Sequence, residues 1–106
     1  MNLIKIQKSY GKCALFVVSC DAYSDAWTPF FELFFRYWPD CPFRIFLIST
    51  GKIFNDKRVI TIPVVPDKGW ANNILTAFIA THNPDYILYM QEDYFLKRPV
   101  SSSYIL

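Results

Sequence analysis

Residues 13–20, Cys-Ala-Leu-Phe-Val-Val-Ser-Cys, form a nearly unbroken apolar run with Phe and Val at its centre. A run of that kind suits a strand buried on both faces, as in a parallel sheet covered by helices. Asp21-Ala-Tyr-Ser-Asp25 breaks the run and offers Ser24 or Asp25 as a helix N-cap. A helix is predicted from about Ala26 to Trp38, stopped by Pro39, with Pro29 tolerated in its first turn. Glu32 and Arg36 fall at i,i+4, the spacing of a helical ion pair. Two further strands follow: Phe43 to Ser49 (FRIFLIS), and Arg58 to Val64 (RVITIPV), which ends near Pro63. A second helix fits Trp70 to Thr81, its apolar face drawn from Trp70, Ile74, Leu75, Phe78 and Ile79. Tyr86 to Met90 (YILYM) is the fourth strand.

Strand, helix, strand, strand, helix, strand is an α/β pattern, and it predicts an open, mostly parallel, Rossmann-like sheet with helices on both faces. Right-handed crossovers give the strand order 3-2-1-4. The first and fourth strands then lie side by side, and the crevice between their carboxyl ends is a topological switch point, where open α/β sheets bind ligands. Asp21 leaves strand one at that edge, and Glu92-Asp93 leave strand four at the same edge.

Composition narrows the class. The chain has 106 residues, 11 basic and 9 acidic, a net charge of +2, and is 53% hydrophobic and 19% aromatic. That length suits a single domain over residues 1–106, with ample apolar side chains for one core. A net charge so small argues against a nucleic-acid binder. Three irregularly spaced cysteines (Cys13, Cys20, Cys41) make no disulfide framework, and one His without a Cys-x-x-Cys excludes a zinc-finger site. The first residues carry no signal-peptide pattern, and no apolar run reaches the ~20 residues that span a bilayer. These features point to a reduced, soluble, cytoplasmic domain.

Glu92 and Asp93 are the acids on which chemistry would rest. Adjacent side chains of an extended chain point to opposite sides, so one can face a ligand while the other anchors the loop. Mg²⁺ takes carboxylate oxygens at ~2.1 Å and completes its shell with water and substrate phosphates, so one or two acids at a switch point can hold a metal–diphosphate. Two solvated acids at a strand end are the plainer alternative for the dipeptide taken alone.

Phe16-Val17-Val18-Ser19 in strand one, Gly69-Trp-Ala-Asn-Asn73 at a helix start, and Tyr86-Ile-Leu-Tyr-Met-Gln-Glu-Asp-Tyr-Phe95 together resemble the nucleotide-binding half of GT-A glycosyltransferases. The resemblance covers about residues 13 to 100. It implies binding of a nucleoside-diphosphate sugar through a divalent metal, Mn²⁺ or Mg²⁺. The sugar would be transferred to a glycan or lipid-linked acceptor, as in cell-surface polysaccharide biosynthesis. It further implies Asp93 as a metal ligand with Glu92 beside it, and Ser19, Asp21, Asn73 and Glu92 as donor-binding residues. The chain departs from the family pattern at three places. Gln91 stands where many members carry an acid, Ser49-Thr50-Gly51 where many carry an acid after strand two, and Asn73 lacks a companion Arg. The family's acceptor half and catalytic base lie C-terminal to these motifs. The expectation is thus a donor-binding half lacking its acceptor half. A non-catalytic α/β binding or interaction module with a vestigial acidic edge is the alternative.

Weaker candidates are Trp70, more often core than a stacking residue; His82 at a helix C-terminus; Lys97-Arg98 near a phosphate; and Cys20 as a buried thiol. Three scattered glycines make neither a P-loop nor a dinucleotide fingerprint. In the helix over 26–38, Trp27, Phe30, Phe31, Leu33, Phe34, Phe35, Tyr37 and Trp38 exceed what one sheet-facing stripe requires. Either neighbouring segments such as Leu3-Ile4 cover the excess, or the helix serves self-association or peripheral membrane contact.

Overall fold

The structure, a computed structural model, describes residues 13–93 and Pro99. Leu3-Ile4, Tyr94-Phe95, Lys97-Arg98 and the serines at 101–103 lie outside the described residues. The elements run β1 (Cys13–Val18), α1 (Trp27–Tyr37), β2 (Arg44–Ser49), β3 (Val59–Pro63), α2 (Trp70–Ala80) and β4 (Tyr86–Gln91). The four strands form one parallel sheet in the order β3-β2-β1-β4, as the crossover rule requires.

The sheet is packed on both faces. Leu15, Phe16, Val17 and Val18 of β1 have no solvent exposure. Leu15 and Val17 point to the α1 side with Ile45, Leu47 and Val59. Ala14, Phe16 and Val18 point to the α2 side with Phe46, Ile48 and Ala77. The period of two in a β-strand divides one apolar run between two cores. Register carries the alternation into β4, where Leu88 and Met90 join the α1 side and Ile87 the α2 side.

Neither Ser24 nor Asp25 caps α1. Residues Asp21–Ala26 instead wind into 3₁₀ turns broken at Tyr23, and Trp27 N–H donates back to the Ser24 carbonyl. That preceding turn begins to satisfy the orphan amides of the helix start, so a side-chain cap is not used there. Pro29 occupies the third helical position, where its missing N–H leaves no bond unmade.

The surplus aromatics of α1 are covered from within the chain. Trp27, Phe30, Phe31, Phe34 and Trp38 are buried, each Phe contributing roughly 1.5–3 kcal/mol by removal from water. Phe54, from the β2–β3 connection, stacks on Phe31 with ring centroids 5.1 Å apart and meets the edge of Trp27 at 6.3 Å. Arg58 lays its guanidinium 3.8 Å from the ring centre of Phe35 while holding Asp56 through two nitrogens at 3.0 and 2.7 Å. The Arg58 contact holds the Asp56 carboxyl below its ordinary range. The Glu32–Arg36 pair is not formed; both side chains are exposed.

The apolar face expected of α2 is rotated away from the sheet. Asn73 and Ala77 are buried, Ile74 and Phe78 half-buried, and Leu75 and Ile79 exposed at 56% and 63%. Ala77 brings the helix close above Phe16 and Phe46, two large rings meeting edge-on at 5.8 Å. Bulkier side chains at 74 and 78 fit only beside that line of contact.

The C-terminus of α2 ends in a Schellman motif. His82 N–H donates to the Ile79 carbonyl at 3.1 Å and Asn83 N–H to the Phe78 carbonyl at 3.0 Å. His82 and Asn83 accordingly adopt left-handed φ values of 63° and 51°. An exposed His in that conformation is strained, whereas glycine is not. His82→Gly is therefore expected to stabilise the fold by about 0.5–1 kcal/mol, read as a raised urea midpoint at unchanged slope. A lower midpoint would mean that the imidazole makes a contribution larger than the strain.

Candidate functional site

The carboxyl ends of β1 and β4 are adjacent, with Val18 paired to Gln91. Ser19, Cys20 and Asp21 leave on one side of this switch point, and Glu92 and Asp93 on the other. The strand order therefore brings together the two acidic segments that the sequence singles out.

Their side chains are in different chemical states. Ser19 is buried, and its Oγ accepts the Trp27 indole N–H at 2.9 Å. It anchors the start of α1 to the end of β1. Asp21 is half-buried and acts as a clamp between the loops after β1 and β2. Its Oδ1 accepts the amides of Thr50 at 3.2 Å and Lys52 at 3.0 Å, and its own amide donates to Thr50 Oγ1 at 3.0 Å. Ser49 Oγ closes the same loop by donating to the Lys52 carbonyl at 2.7 Å. A Cβ at Gly51, which has φ 156°, would lie 3.1 Å from Asp21 Oδ2, so a side chain there would crowd the clamp.

Asn73 is likewise occupied by the chain itself. Its Oδ1 accepts the Lys68 amide at 2.9 Å, and its Nδ2 donates to Asp67 Oδ1 at 2.8 Å. Asp67 also accepts the Gly69 amide at 2.9 Å. That amide, and then the Asn73 side chain, hold the Asp67 carboxyl below the ordinary aspartate range. Gly69 takes φ 86° in front of α2, a left-handed value that suits glycine and carries the chain from this loop into the helix. The hydrogen bonds of Asn73 explain why α2 turns a polar residue toward the interior.

Glu92 differs from all of these. It is only 8% exposed, and its Oε2 is buried without a hydrogen-bond partner among the described residues. A buried polar oxygen left unsatisfied costs roughly 1–3 kcal/mol, so native structures rarely keep one without a reason. Asp93, next in the chain, is exposed, and Gln91 before it is half-buried.

Trp70, expected in the core, is 39% exposed. Trp70 lies on the same helix face as Asn73 and Ala77 but at the first position of α2, at the carboxyl end of the sheet, and its indole N–H donates to Tyr89 Oη of β4 at 2.8 Å. Tyr89 itself is 38% exposed. The strand alternation that places Tyr89 with Ile87 and Gln91 could have flagged it.

Two other groups are passive. Burial pushes the thiols of Cys13 and Cys41 up from their ordinary values, which disfavours the thiolate needed of a nucleophile. All three cysteines are free. No helix among the described residues is long and apolar enough to cross a membrane.

As a test of fit for a divalent cation, the edge offers one buried carboxylate oxygen without a partner and one exposed carboxylate beside it. Among the described residues there is no cluster of three His, Cys, Asp or Glu side chains that could hold a metal. This donor set is too small for a protein-only cage but sufficient for a hard cation that arrives with phosphate oxygens and water. Compared with known proteins, the chain matches no family model, no curated protein and no solved structure.

Two predictions follow from the hydrogen bonding. Asp21→Ala leaves the Thr50 and Lys52 amides without their acceptor and should cost about 1.5–3 kcal/mol in denaturant unfolding, whereas Asp21→Asn retains an acceptor and should lose less. Equal stability of all three proteins would show the clamp to be idle. For Asp67, a folded pKa below the unfolded one means the stabilisation is complete above the unfolded pKa and lost as pH falls through the folded value. The Gly69 amide resonance should therefore shift on acidification with a midpoint below the ordinary aspartate range, and Asp67→Asn should abolish that transition.

Proposed function

We propose that this chain is the donor-binding part of a cytoplasmic glycosyltransferase that takes a nucleoside-diphosphate sugar together with Mn²⁺ or Mg²⁺. The observation that carries the reading is the buried, unpartnered Oε2 of Glu92 at the switch point of a parallel 3-2-1-4 sheet. The resemblance of the β1, helix-start and β4 segments to GT-A enzymes supports the same choice.

In this reading Glu92, buried, and Asp93, exposed, would hold the cation, which when bound would supply charge neutralisation for the departing diphosphate. Ser19, Asp21 and Asn73 shape the donor site through the backbone rather than through free side chains. Ser19 fixes the start of α1, Asp21 ties the loops after β1 and β2, and Asn73 ties the loop before α2. A crevice whose walls are locked by such bonds orders little on binding and so forfeits little affinity to entropy. Transfer of the sugar to a glycan or lipid-linked acceptor would need an acceptor pocket and a base in addition to these residues.

A second reading, a non-catalytic α/β binding module, is favoured by the engagement of Asp21 and Asn73 in bonds that hold the fold. Calorimetric titration with UDP and GDP, each with and without Mn²⁺, separates the two. Binding should be tighter with Mn²⁺, and Glu92→Gln and Asp93→Asn should each remove roughly tenfold or more of that metal-dependent affinity. Mn²⁺ without diphosphate should give little binding, because the protein contributes too few ligands. If no diphosphate binds under any condition, the binding-module reading replaces the enzyme. If Glu92→Gln and Asp93→Asn bind as well as the parent with metal present, the roles given to these acids are wrong.

A further inference from the structure

Trp70 and Tyr89 are not accounted for by the core or by the acidic edge. The aromatics on the other face of the sheet behave differently: Trp27 and Trp38 are buried, and the α1 rings pack on one another. Trp70 and Tyr89 are exposed by more than a third, and neither stacks on another aromatic among the described residues. Their mutual hydrogen bond nevertheless fixes them, the indole N–H donating to the phenol oxygen at 2.8 Å. It spans from the first turn of α2, which packs on β2, to β4 on the far side of β1. The bond occupies the Trp70 donor and leaves the Tyr89 O–H without an acceptor among the described residues.

Two large rings held by a hydrogen bond, with apolar surface open to water, form a stacking platform whose orientation is set before a ligand arrives. Its position narrows the ligand. Tyr89 lies three residues before Glu92, up to roughly 10 Å along an extended chain. That reach from the acidic edge admits either the hexose or the base of a nucleotide-sugar. Of the two, only the base has a flat π face with carbonyls on its edge, the features that a fixed ring pair with a phenol O–H would meet.

We propose that Trp70 and Tyr89 form the shelf on which the nucleobase of the ligand stacks, with Tyr89 O–H available to a carbonyl on the base edge. The choice of a nucleobase rests on the nucleotide reading of the Glu92–Asp93 edge; the shelf itself rests on the Trp70–Tyr89 geometry.

The test uses nucleosides, which lack phosphate and do not call on the metal. Uridine and guanosine are titrated separately against the parent, Trp70→Ala, Trp70→Phe, Tyr89→Phe and Ile79→Gln, by Trp fluorescence and by calorimetry. At least one nucleoside should quench the parent's emission, because Trp27 and Trp38 are buried and Trp70 is the accessible indole. Trp70→Ala should weaken nucleoside binding by roughly 5- to 150-fold, the range for loss of one base-stacking aromatic. Trp70→Phe should lose less, having kept a ring, and Tyr89→Phe should fall between, having released Trp70. Ile79→Gln, at an exposed α2 position outside both the acidic edge and the ring pair, should leave nucleoside affinity unchanged. If diphosphates bind with metal but Trp70→Ala binds them and both nucleosides like the parent, the shelf is refuted and the metal reading stands. If nucleosides bind at Trp70 while metal and diphosphate have no effect, the shelf stands and the metal reading falls. Quenching by methyl hexosides, with none by either nucleoside, would overturn the assignment to a base.

Discussion

Leu15, Phe16, Val17 and Val18 have no contact with solvent, so the backbone of β1 must find all its hydrogen bonds within the protein. β2 and β4 provide them on either side, and both pair in parallel. α1 fills the connection from β1 to β2 and α2 the one from β3 to β4, whereas β2 reaches its parallel neighbour β3 through a helix-free loop. One helix covers each face because alternate side chains of β1 point to each face. Central placement of β1 also sets the switch point, since the chain passes to β2 on one side and β4 closes on the other. The site follows from the core.

At that carboxyl edge, polar groups divide into those the fold uses and those it leaves. Ser19, Asp21 and Asn73 are engaged by Trp27, by the amides of Thr50 and Lys52, and by Asp67 with the Lys68 amide. Each bond joins segments whose relative position defines the crevice. Among the described residues Glu92 Oε2 is left over, buried and without a partner, and the Tyr89 O–H has no acceptor. Chemistry is expected from the unsatisfied groups, because a group already holding two amides must break those bonds before it can bind anything else.

The apolar surface is distributed as unevenly. α1 carries far more aromatic area than one sheet face can cover, and the β2–β3 connection meets the excess with Phe54 and the Arg58 guanidinium. Among the described residues α2 has no comparable cover, and Leu75 and Ile79 are exposed. Its approach is governed by Ala77 and Asn73, one for closeness and one for hydrogen bonding, so its most apolar stripe does not face the sheet. Rotating the helix to bury Leu75 and Ile79 would remove Asn73 from the loop it holds.

The order of elements, the parallel 3-2-1-4 sheet, the two-sided burial of β1 and the meeting of Asp21 with Glu92-Asp93 at one edge were all legible in the sequence. They depend on local periodicity and on chain-crossing rules that act without knowledge of individual contacts. The use of each polar side chain was not legible. Asp21 finds its partners 29 and 31 residues away, and Trp70 meets Tyr89 across 19. The rotation of α2 is set by the volume beneath it, not by the composition of its own faces. Residue type and spacing decide which groups arrive at the edge; tertiary hydrogen bonding, which saturates some acceptors and leaves others bare, decides which of them remain free to bind.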